Sequence, residues 1–103
     1  VRRRLAGGLL LLALATPLAA QSNGAIAGVV RDAQTGRGLA NVLVTVEGGR
    51  RGTTTDTGGR YRIREVRSGF HTLQAALIGY TPQVRDSLEV RAGVTLLVDL
   101  ALE

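Results

Sequence analysis

Arg51-Gly52-Thr53-Thr54-Thr55-Asp56-Thr57-Gly58-Gly59-Arg60-Tyr61-Arg62-Ile63-Arg64-Glu65 is the stretch on which the fold turns. Arg51 to Thr55, rich in β-branched threonine, has the composition of a strand. Asp56-Thr57-Gly58-Gly59 has the composition of a tight turn, its two glycines supplying the positive φ angles that a hairpin needs. Arg60 to Glu65 then alternates, with Tyr61 and Ile63 on one face and Arg60, Arg62 and Arg64 on the other. The period of two predicts a half-buried strand, and the two runs together predict a β-hairpin.

The same alternation extends in both directions. Upstream, Ala25 to Arg31 sets Ile26, Gly28 and Val30 against Ala25, Ala27 and Val29, and stops at Asp32-Ala33-Gln34-Thr35-Gly36, where the Asp32 carboxylate is placed to accept a backbone N–H two residues on. Asn41 to Glu47 directs Val42, Val44 and Val46 inward and Asn41, Leu43 and Thr45 outward, and Gly48-Gly49 ends it. Downstream, Arg67-Ser68-Gly69 turns into a strand from Phe70 to Ile78, which Gly79-Tyr80-Thr81-Pro82 breaks. Gln83 to Val90 follows, Arg91-Ala92-Gly93 turns, and Val94 to Leu100 closes the series, with Tyr61 and Phe70 expected in the core. Seven short strands with turn residues roughly every eight to twelve positions predict an all-β fold, a seven-stranded antiparallel Greek-key β-sandwich.

The first twenty residues are of another kind. Arg2, Arg3 and Arg4 precede an apolar run from Leu5 to Ala15, and a small-residue stretch broken by Pro17 follows. That order predicts a signal-peptide helix over residues 1–20, cleaved after Ala20, ahead of one domain over 21–103. The apolar run falls short of the roughly 20 residues a membrane span requires, so no span is expected after cleavage. Ala13-Leu14-Ala15 fits the cleavage rule literally but lies inside the apolar run. No cysteine is present to carry a lipid or a disulfide.

The chain carries thirteen arginines, eight acids and a formal charge of +5. Three of the arginines lie in residues 1–20 and all eight acids lie beyond them, so the remaining chain has a charge of only +2. A nucleic-acid partner is therefore not expected. A domain of this size buries only about 60–65% of its unfolded surface, which leaves little stability in reserve.

Five separated motifs resemble the carboxypeptidase regulatory-like domain family, whose fold is a transthyretin-like sandwich grouped with carbohydrate-binding sandwiches. The first runs Gly24-x-Ile26-x-Gly28-x-Val30-x-Asp32-x-x-Thr35-Gly36, and Leu39-x-Asn41-Val42-x-Val44 follows it. Gly52-Thr53-x-Thr55-Asp56-x-x-Gly59-x-Tyr61-x-Ile63, Gly69-x-x-Thr72-Leu73 and Ile78-Gly79-Tyr80 complete the set. Gly38 and Arg67 stand where the family usually has proline. The resemblance implies a non-catalytic exported bacterial module of the periplasm, outer membrane or cell surface, either free-standing or the leading domain of a TonB-dependent receptor, with a carbohydrate-binding module or a domain supporting a separate carboxypeptidase as the alternatives. Its implied partners are an envelope protein, a downstream receptor domain or a glycan.

Residue chemistry excludes the common catalytic plans. His71 is the single histidine, fewer than a carboxypeptidase zinc site uses, and a partly exposed strand position is its ordinary reading. Ser22, Ser68 and Ser87 lack a nucleophile elbow. Asp32 and Asp56 each open a turn and offer one carboxylate apiece, too few for calcium, so turn capping explains them. Gly48-Gly49-Arg50-Arg51-Gly52 leads into a strand rather than a helix and reads as a turn. No enzyme, cofactor or metal is expected.

Two surface candidates remain. Arg60, Arg62 and Arg64 share a sheet face on which an acidic glycan, lipid phosphate or acidic protein would sit. The preferred plain reading is a solvated face balanced by Glu47, Glu65 and Asp86. Tyr80 is the candidate for stacking on a sugar.

Overall fold

The computed structural model describes residues 23–46 and 51–103. The expected signal peptide over 1–20, its cleavage after Ala20, Ser22, Glu47 and the Gly48-Gly49-Arg50 turn lie outside the described residues. The strands are β1 (Asn23–Asp32), β2 (Leu43–Val46), β3 (Arg51–Thr54), β4 (Arg60–Arg67), β5 (Gly69–Ala76), β6 (Gln83–Val90), β7 (Thr95–Leu97) and β8 (Leu100–Leu102). They form two sheets, one ordered β4-β1-β7 with β8 also on β1, the other β3-β2-β5-β6.

Alternation decides which side chains fill the space between the sheets. Val42, Val44 and Val46 are 0%, 0% and 1% exposed, while Leu43 between them is half exposed, as the period of two requires. Ile26 and Val30, Tyr61 and Ile63, Leu73 and Ala75, and Val98, Leu100 and Leu102 complete one core. Each fully buried aliphatic side chain contributes about 1.5–3 kcal/mol.

Two details differ from expectation. β3 and β4 do not pair: β3 pairs with β2 and β4 with β1, so the stretch from Thr55 to Gly59 is a corner between sheets. The turn itself closes as expected, with the Asp56 N–H donating to the Arg60 carbonyl at 2.9 Å and the Gly59 N–H to the Asp56 carbonyl at 2.9 Å. One residue earlier the chain is drawn aside, because the Thr55 N–H donates to the Val42 carbonyl at 3.0 Å. On the other arm the Gly59 carbonyl accepts the Val30 N–H at 2.8 Å. The two strands are thus captured by different neighbours as they leave the turn.

The closing strand, expected to be continuous and antiparallel, is split into β7 and β8, both parallel to β1. Between them Val98 donates its N–H to the Ala27 carbonyl at 2.8 Å, and the Asp99 carboxylate accepts the Val29 N–H at 3.0 Å. A side chain here replaces a main-chain acceptor, so the ladder breaks without leaving a polar group unpaired. Gly28 permits this approach: a Cβ on it would lie 1.8 Å from the Val98 carbonyl oxygen.

Bulges lie in β4 and β6, each of which forms an edge of its sheet. In β4, Arg64 and Glu65 together oppose Ala25, and Glu65 has φ 56°. The extra residue keeps Glu65 outside and returns Val66, 2% exposed, to the core, where strict alternation would have reversed them.

Candidate functional site

Arg60, Arg62 and Arg64 are all exposed on the outer face of the β4-β1-β7 sheet, on every second residue and hence roughly 7 Å apart. Across the ladder Arg60 lies beside Val29 and Arg62 beside Ala27, which in turn lies beside Leu97. The arginines therefore border a strip of small and apolar residues. Arg60 forms an ion pair with Asp56 at 3.4 Å. Among the described residues neither Arg62 nor Arg64 has such a partner. Of the expected balancing acids, Glu47 lies outside the described residues, Asp86 lies on the other sheet, accepting the Thr72 hydroxyl at 3.2 Å, and Glu65 occupies the bulge.

Asp32 and Asp56 cap turns as expected. Asp32 accepts the Gln34 and Thr35 N–H groups at 2.8 and 3.1 Å, and Asp56 accepts those of Gly58 and Arg60, both at 2.9 Å. The Arg60 N–H is the main cause holding the Asp56 carboxyl below its ordinary range. Asp32 does more than cap. Its second oxygen accepts the Tyr80 hydroxyl at 2.8 Å, joining the turn after β1 to the turn after β5. That bond, foremost, lowers the Asp32 carboxyl and raises the Tyr80 phenol.

Of the aromatic residues expected in the core, one is placed there and one is not. Phe70, expected in the core, is 69% exposed on the outer face of the β3-β2-β5-β6 sheet. It precedes the inward residues His71 and Leu73, and the alternation of β5 turns it out. Tyr80, the expected sugar platform, is half-buried against the core with its hydroxyl committed to Asp32. Tyr61 is buried as expected, its hydroxyl donating to the Val98 carbonyl at 2.6 Å. Burial first, and then the charge of Asp99, push that phenol far above its ordinary range.

His71 is half-buried, its Nε2–H donating to the Arg67 carbonyl oxygen. It lines an open cleft of about 580 Å³ at the end where β1 begins, with Asn23, Arg51, Glu65 and Arg67. Among the described residues no three His, Cys, Asp or Glu side chains come together as a metal site would require. Thr55 went unmarked in the sequence, yet it is the buried polar side chain of the core. It accepts the Val42 N–H at 3.0 Å and donates to the Leu39 carbonyl at 2.5 Å, fastening the β1–β2 connection to the end of β3.

The two packed sheets, their valine-rich core and the Asp-capped turns define a β-sandwich domain. A family model described as carboxypeptidase regulatory-like domain matches residues 25–103, and the chain belongs to that family. Carboxypeptidase D of Anas platyrhynchos is 33% identical over 78 residues, which are 76% of this chain and 6% of that protein. The chain thus spans only a small part of this curated relative. Two solved structures share the fold. A chain of the type II cohesin–X–dockerin complex of Acetivibrio cellulolyticus has a TM-score of 0.63 at 18% identity, over 75% of this chain and 52% of that one. A protein of Bacteroides uniformis described as carbohydrate-binding has a TM-score of 0.57 at 18% identity, over 76% and 40%.

Proposed function

We propose that this chain is an exported, non-catalytic interaction module of the bacterial cell envelope, and that the face carrying Arg60, Arg62 and Arg64 receives an anionic partner. The observation that carries this reading is the exposure of Arg62 and Arg64 in a row without an ion-pair partner among the described residues. Guanidinium groups so placed form charge-assisted, bidentate bonds with carboxylates or phosphates. The cohesin–X–dockerin likeness supports an interaction role at the level of fold.

The test is binding of the chain to defined acidic probes: an acidic peptide, polygalacturonate and phosphatidylglycerol vesicles. At least one binds at low salt and is released as salt rises past roughly 0.3 M, where screening acts within a few ångströms. Arg62→Glu weakens that binding and Arg85→Glu, on the other sheet, does not. Equal binding by wild type and Arg62→Glu rejects the reading.

Export rests on the pattern of residues 1–20, and an envelope-fraction product beginning at Gln21 is its expected outcome. The narrower role of leading domain of a TonB-dependent receptor rests on the family resemblance. A plug and barrel encoded downstream of Glu103 supports that role, and a stop codon there rejects it.

A second reading, glycan binding, has its own observation in exposed Phe70, and the Bacteroides uniformis protein supports it at the level of fold. Phe70→Ala then abolishes calorimetric binding to an oligosaccharide, whereas loss through Tyr80→Ala alone would return the site to Tyr80.

A further inference from the structure

β4 pairs with β1 on one side, and among the described residues no strand pairs with its other side. The ladder determines which peptide groups face that open side. The Val30 N–H donates to the Gly59 carbonyl, so Gly59, Tyr61 and Ile63 are the positions directed at β1. The peptide groups of Arg60 and Arg62 therefore point away from it. Those of Arg60 are taken up by Asp56 in the turn. Arg62 presents an N–H and a carbonyl along the open edge, and Arg64, at the start of the bulge, adds its exposed guanidinium to the row.

We propose that this edge takes up an extended acidic segment of a partner protein, added as a further strand beside Arg60–Arg64, with Asp or Glu at every second position. The proposal rests on the reading of this face as an anion-binding surface and names the chemistry of its partner. An added strand repeats its side chains with the same roughly 7 Å period as the arginine row, so an alternating acidic sequence meets the guanidinium groups in register. Its main chain bonds the open peptide groups, which is how strand addition gains affinity.

Other occupants fit less well. Sugar recognition lacks a stacking platform on this face, since Tyr61 points inward, Phe70 lies on the other sheet and Tyr80 is bound to Asp32. A second copy of β4 would set arginine against arginine, a like-charge pairing that edge strands use to repel one another. The bulge at Arg64 and Glu65 ends the regular stretch and limits the added strand to the length of Arg60–Arg64.

The experiment uses the full chain and a fluorescent heptapeptide in which glutamate alternates with threonine. Binding is expected at low salt, with slowed amide exchange at Arg62. Arg62→Glu weakens it about tenfold and Arg62→Lys weakens it less, because the charge survives that exchange while the bidentate fork is lost. N-methylation of the peptide amides that face β4 is expected to abolish binding. Equal affinity for the N-methylated peptide, or for one of the same composition with its glutamates in a block, overturns strand addition while leaving the anion-binding face intact. Binding of polygalacturonate or vesicles but not the peptide also overturns it, and binding of no acidic probe removes both readings. If Arg62→Glu does not fold, the two peptides against wild type still decide.

Discussion

At the scale of single residues, stability resides in a few polar contacts and close approaches. Thr55 satisfies two buried main-chain groups at once. Thr55→Val keeps the shape but leaves both unpaired, and should cost about 3 kcal/mol, read as a lowered urea midpoint. Gly28 lies under the Val98 carbonyl. Gly28→Val should prevent β7 and β8 from docking and abolish cooperative unfolding. Gly38 has a similar neighbour, since a Cβ on it would lie 2.0 Å from the Gly58 carbonyl oxygen. Any residue bearing a Cβ at this position, proline included, would force the turn after Asp56 to shift.

The Asp32–Tyr80 contact predicts a pH dependence. The Asp32 carboxyl is lowered in the fold, so its stabilising effect is present above the ordinary carboxylate range and is lost as pH falls through the lowered value. The Tyr80 phenol is raised, so its effect is present below the ordinary phenol range and is lost as pH rises through the raised value. Tyr80→Phe should flatten both limbs, as urea midpoints measured from roughly pH 2 to 11 will show.

At the scale of elements, the bulges are functional features of the edges. Glu65 sits in the left-handed region, which is costly for a residue bearing Cβ. Glu65→Gly should stabilise the domain by about 1 kcal/mol in urea unfolding while leaving the arginine row in place. The facing of β2 and of β4 up to its bulge was legible in the sequence, because alternation alone assigns Val42, Val44, Val46, Tyr61 and Ile63 inward and the arginines outward. The bulges were not legible, since Val66 returns inward only because two residues of β4 oppose one of β1. The exposure of Phe70 followed from the same alternation, but bulk alone pointed it inward.

At the scale of the whole molecule, the last strand closes what the first begins. β1 lies between β4 and the β7–β8 pair, so the sheet is complete only when the C-terminal residues return to the N-terminal ones. Leu102 is fully buried at that closure. Leu102→Ala should cost about 2–5 kcal/mol, much of what an unstapled domain of this size possesses, and show as partial unfolding in circular dichroism.

The sequence by itself determined most of the strands, the facing of β2 and of β4 up to its bulge, the capped turns and the family, because each depends on neighbours a few positions apart. The Arg51–Glu65 stretch marks the limit of such reading. Its turn closes as its residues dictate, but whether the flanking strands pair or part depends on Val42 and Val30, remote in sequence, competing for the same peptide groups. Tertiary structure alone decided that competition, and in separating β3 from β4 it left β4 an edge and gave the arginine row an open side.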